Sequence, residues 1–230
     1  MHQILEERKG ATPLIEVATG RYAGRTAAER QAERRRRLLD TAFDAIAEGG
    51  VASLRVRALC ARAGLNDRYF YESFTDCDQL LETLVDEYTS DGYLALTTAL
   101  AAAPSDLPGA VRACVVAAID YVATNPRRGR LFIDLPTTPA LRARRDNITA
   151  MLADLMLAQG RKIVGDEAAT GIHAELATLT VVNGEFDLVV QWLRGDVDVE
   201  REEFIDFLTA MILTSAGITA TVARDLPPRR

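Results

Sequence analysis

Gly64 stands between two short segments of helical periodicity, and that arrangement constrains the fold more than any other feature of the 230-residue chain. On its N-terminal side Val56, Leu59 and Ala63 fall at i, i+3 and i+7 of a helix expected from about Arg55 to Ala63. Gly64 ends that helix, because a sharp turn wants a residue tolerant of positive φ. Beyond it Asn66 is placed as the cap of a second short helix, about Asp67 to Ser73, its side-chain oxygen able to accept from first-turn amides. Two short helices about a glycine turn are the signature of a helix-turn-helix, whose second helix can enter a major groove roughly 12 Å wide. Asp67, Arg68 and Tyr69 would then be presented to base edges and the N-terminal amides to phosphate.

The flanking pattern is also helical. Leu38, Leu39, Ala42, Phe43, Ile46 and Ala47 mark one face of a first helix that begins near Ala28 and stops at Gly49-Gly50. Its Arg34–Arg37 run points in several directions, as a solvated face or as phosphate contacts. Asp76 can cap a fourth helix carrying Leu80, Leu81, Leu84, Val85 and Tyr88 on one stripe. Helical segments follow near 91–103, 107–124, 137–159, 168–194 and 200–222, separated by prolines and glycines. No stretch alternates long enough to make a strand, so the expected class is all-α. The last two segments are the most apolar of the long ones and can pack within one protomer or against a second copy. Asn183 within that stripe needs a partner, either across subunits or in a ligand.

Charge divides along the chain. Residues 1–75 hold 13 Lys and Arg against 10 Asp and Glu, or +3; residues 76–230 hold 14 against 23, or −9. A mildly basic N-terminal module on an acidic body permits nucleic-acid binding without demanding it. Residues 1–28 show no sustained period and read as a flexible arm, in which Arg21 and Arg25 are either functionless or reach a minor groove. The charged N-terminus does not resemble a secretory signal, and no apolar run reaches the roughly 18 residues of a membrane span, so a cytoplasmic protein is expected. Cys60, Cys77 and Cys114 form no CxxC pair and read as free thiols. Cys77, near a helix start, is either a tolerated small residue or a redox-sensitive one. With only His2 and His173, and no HExxH, GxSxG, Walker or GxGxxG sequence, neither an enzyme nor a metal or other cofactor is expected.

The stretch from Arg30 to Tyr88 resembles the DNA-binding domain of the tetracycline-repressor (TetR) family of bacterial regulators. The resemblance rests on a first helix ending in Glu-Gly-Gly, then Leu59, Ala63-Gly64-Leu65, Tyr71, Phe74 and Leu80, in ungapped spacing. It implies a phosphate contact for Tyr71 and base or backbone contacts for Arg68 and Tyr69. Asn66 takes the place of the family's usual Ser or Thr cap. Arg55 stands where Ser or Thr is preferred, losing a cap but offering a cation to phosphate. Asp67 is unusual in a phosphate-facing position unless it accepts from a cytosine amine. Cys77 replaces a common lysine that donates to the DNA backbone. For the remainder the resemblance implies a variable helical body that encloses a small-molecule cavity and dimerises through its last two helices.

The expected organisation is thus an arm over 1–28, a three-helix DNA-binding domain over 29–75, and a ligand-binding and dimerisation domain over 76–230 with 76–90 as connecting helix. DNA-binding candidates are Arg55, Asn66, Asp67, Arg68, Tyr69 and Tyr71. Ligand candidates are Tyr93, Phe132, Asn183 and Trp192, with His173 read as a structural or boundary residue rather than a ligand contact; interface candidates are Phe186, Val190, Phe204, Leu208 and Met211. The expected function is a homodimeric repressor released from a palindromic double-stranded operator by a small molecule, with no membrane partner. An activator with the same module, or a helical binding protein without DNA affinity, are the alternatives.

Overall fold

The computed structural model describes residues 26–164 and 171–225, and within them the chain is helical without strands. The expected arm, with Arg21 and Arg25, lies outside the described residues apart from its last positions. The helices are α1 (Ala27–Gly49), α2 (Val56–Ala63), α3 (Asp67–Tyr71), α4 (Cys77–Ala102), α5 (Leu107–Ala123), α6 (Pro126–Asp134), α7 (Pro139–Val164), α8 (Ile172–Arg194) and α9 (Arg201–Asp225). Short polar residues set their starts. Thr26 and Glu29 form a reciprocal capping box on α1. Asp76 accepts from the Gln79 amide at 2.8 Å, and Asp106 from the Gly109 amide at 2.8 Å.

Two differences from the expected helices matter. The connecting helix does not stop near residue 90: α4 continues to Ala102 through Gly92, where the Tyr121 ring packs so close that an added Cβ would lie 3.2 Å from Cε1. Gly92 therefore marks a close approach between helices rather than a break. In addition, residues 126–134 form α6, which the sequence pattern left unassigned; Asn125 caps it by accepting from the Arg127 amide at 3.0 Å, and Pro126 occupies its first position.

The N-terminal helices close around Phe70, which is fully buried, with Leu38, Ile46, Leu59, Phe74 and Leu80. The body packs α4 on α5, α5 and α8 on α9, and α7 on α8. Helix α6 lies against α1. There Asp134, buried, accepts from the Val51 amide at 2.8 Å and from Arg130 at 3.3 Å, while Arg127 stacks on Phe43 and reaches Asp44 at 3.1 Å. Gly50 is required at this junction: its φ is +73°, and an added Cβ would lie 2.9 Å from Asp134 Oδ2. Among the described residues no single helix is long and apolar enough to cross a membrane.

Candidate nucleic-acid interface and body cavity

The turn between α2 and α3 forms as the residues dictate. Gly64 adopts the left-handed conformation at φ +62°, and the Leu65 amide donates back to the Cys60 carbonyl at 2.9 Å. Asn66 then caps α3, its Oδ1 accepting from the Arg68 amide at 2.9 Å. Because the Tyr69 amide also donates, to the Asn66 carbonyl at 2.9 Å, these two amides are committed to the cap rather than offered to phosphate. Helix α3 buries Phe70 against Phe74 and turns the flanking rings outward: Tyr71 is 61% exposed and Tyr69 37%. Tyr71 packs edge-on against Phe70 with ring centres 5.5 Å apart, so its hydroxyl is held at the surface by a buried neighbour.

The charged candidates are less free than their sequence positions suggest. Arg68 projects into solvent and bridges to Glu72 at 3.2 Å. Glu72 also receives Arg34 at 3.4 Å, and Arg34 lies over the Tyr69 ring at 4.3 Å. Arg35 stacks on Phe74, and Arg36 pairs with Asp40, so the Arg34–Arg37 run is distributed over separate tasks. Arg55 occupies the cap position of α2 without a side-chain cap bond; its guanidinium folds back to donate to the Leu54 and Ala52 carbonyls at 2.7 and 3.0 Å. Asp67 turns toward α2, with Arg57 at 4.0 Å. It also adds to the burial that pushes the Cys60 thiol up to about 11.

Cys77 does not have the environment of an activated thiol. Burial first, then Asp78 and Asp76, raise it above its ordinary range, outweighing Arg55. The helix start that would favour a thiolate is occupied by acids.

Within the body, α4, α5, α7, α8 and α9 enclose a cavity of about 600 Å³, with α6 contributing Phe132. Of the four ligand candidates it brings together two, Phe132 and Tyr93. Asn183 does not line it: Oδ1 accepts from Arg145 at 3.2 Å and Nδ2 donates to the Leu179 carbonyl, so its partners are in its own protomer. Trp192 stacks on Phe204 at 4.9 Å and donates to the Val199 carbonyl at 3.0 Å, which fastens α8 to the start of α9. His173 is half-buried and also off the cavity.

The residue that the sequence pattern missed is Glu185, which lines the cavity with Oε1 buried and without a hydrogen-bond partner. Burial pushes its carboxyl up to about 8. The signal was legible: an acid three residues after Val182 and four before Val189 lies on the apolar face of α8. Four of the interface candidates are likewise relocated. Phe186, Val190, Phe204 and Leu208 are buried inside the protomer, because α8 and α9 turn these residues toward each other and toward α5–α7. Met211 alone of the five is exposed. The outward apolar residues are Ile172, Leu176 and Leu179 on α8, with Phe207 and Met211 on α9.

Fold and turn geometry together define a helical protein with a helix-turn-helix near its N-terminus. Residues 38–84 match the family model of bacterial regulatory proteins, tetR family. On that match residues 38–84 carry the N-terminal segment of TetR-family transcriptional regulators. No curated protein matches it. Among solved structures, a protein named as a transcriptional regulator from Pseudomonas aeruginosa PAO1 is similar with TM-score 0.67 at 17% identity, covering 84% of this chain and 94% of that one. A tetR-family transcriptional regulator from Streptomyces coelicolor has TM-score 0.64 at 16% identity, with 84% and 83% covered. The fatty acid degradation regulator FadR from Bacillus halodurans has TM-score 0.60 at 17% identity, with 81% and 94% covered. At such identities these likenesses establish the fold.

Proposed function

We propose that the protein is a homodimeric repressor whose operator affinity is lowered by a small molecule bound in the body cavity. Residues 29–75 act as the DNA-binding domain and 76–230 as the ligand-binding and dimerisation domain. Tyr71 donates to phosphate, while Arg68 and Tyr69 meet the groove. The Arg68–Glu72 bridge is exposed and worth at most about 1 kcal/mol, so it yields readily when DNA offers a stronger partner. Asn66 acts through its cap. Arg55 reaches phosphate only by leaving its two carbonyls, and Asp67 acts on α2 rather than on bases.

One observation supports ligand responsiveness above the others: α4 is a single helix with a foot in each part. Its early turns bury Leu80, Leu84 and Val85 in the N-terminal core, while Tyr88, Thr89, Tyr93 and Leu96 line the cavity. A ligand that favours one position of the far half must move the near half, and α6 offers a second link from Phe132 to Asp134 and the Val51 amide. In a twofold dimer the two α3 helices must lie about 34–36 Å apart to reach successive major grooves. A ligand with about 3 kcal/mol of preference for another spacing lowers operator affinity by roughly two orders of magnitude.

Footprinting on the DNA flanking the protein's own coding region tests this reading. Two protected patches about one helical turn apart are expected, and absence of protection would overturn it. A reporter driven by the protected region separates repression from activation.

A further inference from the structure

The chemistry of the cavity extends the ligand-responsive reading and rests on it. Its lining is overwhelmingly hydrocarbon and aromatic, with rings from Tyr88, Tyr121, Phe132 and Phe186. Among the described residues it contains no Lys, Arg or His and one carboxyl, Glu185. The Oε1 atom of that carboxyl is buried and has no partner. A carboxylate oxygen stripped of water and left unpaired is costly.

Among the described residues, no cation on the helices packed against α8 is part of the cavity lining. Arg145 on α7 bonds Asp187 and Asn183 and stacks over the Phe186 ring, with its Nε unpartnered, and Arg144 pairs with Asp86. Arg142, Arg161 and Lys162 on the same helix are exposed. On α6, Arg127 and Arg130 pair with Asp44 and Asp134 and Arg128 covers the Tyr121 ring, while Arg201 on α9 pairs with Asp120. His173, Glu175, Asp187 and Arg194 on α8 itself are absent from the lining. The other titratable lining groups, Cys114, Tyr88, Tyr93 and Tyr121, are acids rather than bases.

We propose that the cavity binds a lipophilic amine, an apolar molecule with one protonated nitrogen, and that Glu185 is its counter-ion. A buried ammonium requires an opposite charge at hydrogen-bond distance, and aromatic faces stabilise it further. An anionic amphiphile would meet a carboxyl, with no cation among the described lining residues to receive it. A neutral alcohol fills the same apolar space without drawing on the ion pair. Because burial holds Glu185 protonated near neutral pH, pairing with the ammonium expels that proton to solvent. Close to one proton therefore leaves for each amine bound at pH 7 and below, and the occupied pair is neutral overall. Amine affinity rises with pH through about 8, above which the free carboxyl is already ionised and no proton need be released.

Calorimetric titration of the full chain with decylamine, decanol and decanoate, each below its aggregation concentration, tests this. At pH 7, decylamine should bind at least about tenfold tighter than decanol, with decanoate weakest. Two buffers of different ionisation heat should show release of close to one proton for the amine and none for the alcohol. In Glu185→Gln the amine should fall to the level of decanol, with decanol unchanged. Equal affinity for amine and alcohol, preference for decanoate, or an undiminished amine preference in the variant overturns the proposal. If the variant does not melt as a folded protein, the wild-type proton count decides, and a value near zero overturns it. Binding of alcohol or acid without amine preference defeats this proposal alone, whereas no binding by any of the three defeats the ligand-responsive reading with it.

Discussion

Below about pH 4.5 Glu185 is neutral in both folded and unfolded chains, and its burial is tolerated. Because the folded value is raised to about 8, the unfolded chain gives up its proton first as pH rises. The stabilising contribution is therefore complete below about 4.5 and is lost through about 8, at about 1.4 kcal/mol per pH unit. Melting temperature should accordingly fall between pH 5 and 8.5 in the wild type and fall less in Glu185→Gln; parallel curves would show that the carboxyl ionises freely. At this scale the exposed aromatics were readable, since Phe70 must face inward and leave Tyr69 and Tyr71 outside. The roles of Asn183, Trp192 and Asp67 were not, because each found its partner on a neighbouring helix or loop: Arg145, Val199 and Arg57. Spacing along one helix carries no record of such partners.

Between elements, the turn at Gly64 and the junction at Gly50 bear the geometry that the site depends on. Gly64→Ala keeps the turn only with a Cβ in the left-handed region, which costs about 1–2 kcal/mol and should lower the melting temperature by several degrees. Asp134→Ala removes the carboxylate that joins α6 to the Val51 amide; it should cost about 2 kcal/mol in denaturant titration, because a charged acceptor is lost at a buried site. An unchanged midpoint in either variant would show that the turn or the junction is not under constraint. Helices α2 and α3 and the start of α4 were legible because their caps and stops are local: Gly64, Asn66 and Asp76 act within three residues. Helix α6 carried an equally local signal in Asn125-Pro126, yet its short span, mixed charges and central Gly129 leave little periodicity to read. What Gly92 serves within α4, a close approach of the Tyr121 ring, is a contact from another helix.

Among the described residues, α8 and α9 leave large apolar side chains exposed: Ile172, Leu176 and Leu179 on α8 and Phe207 and Met211 on α9. If two copies meet through these residues, light scattering should give twice the 25.1 kDa chain mass, and Phe207→Asp should return the protein to that mass. A wild-type monomer would remove the twofold spacing on which operator recognition rests. The sequence pattern located these helices, but of its five interface candidates only Met211 faces outward, since α8 and α9 are apolar on both sides and only packing shows which side turns inward. The most direct test is fluorescence anisotropy of a labelled duplex from the DNA flanking the coding region, titrated with wild type and Tyr71→Ala. Because Tyr71 is largely exposed, the variant should keep its circular dichroism while its affinity falls by about tenfold or more. Equal affinity of a well-folded variant would contradict the assignment of α3 as the DNA-reading helix.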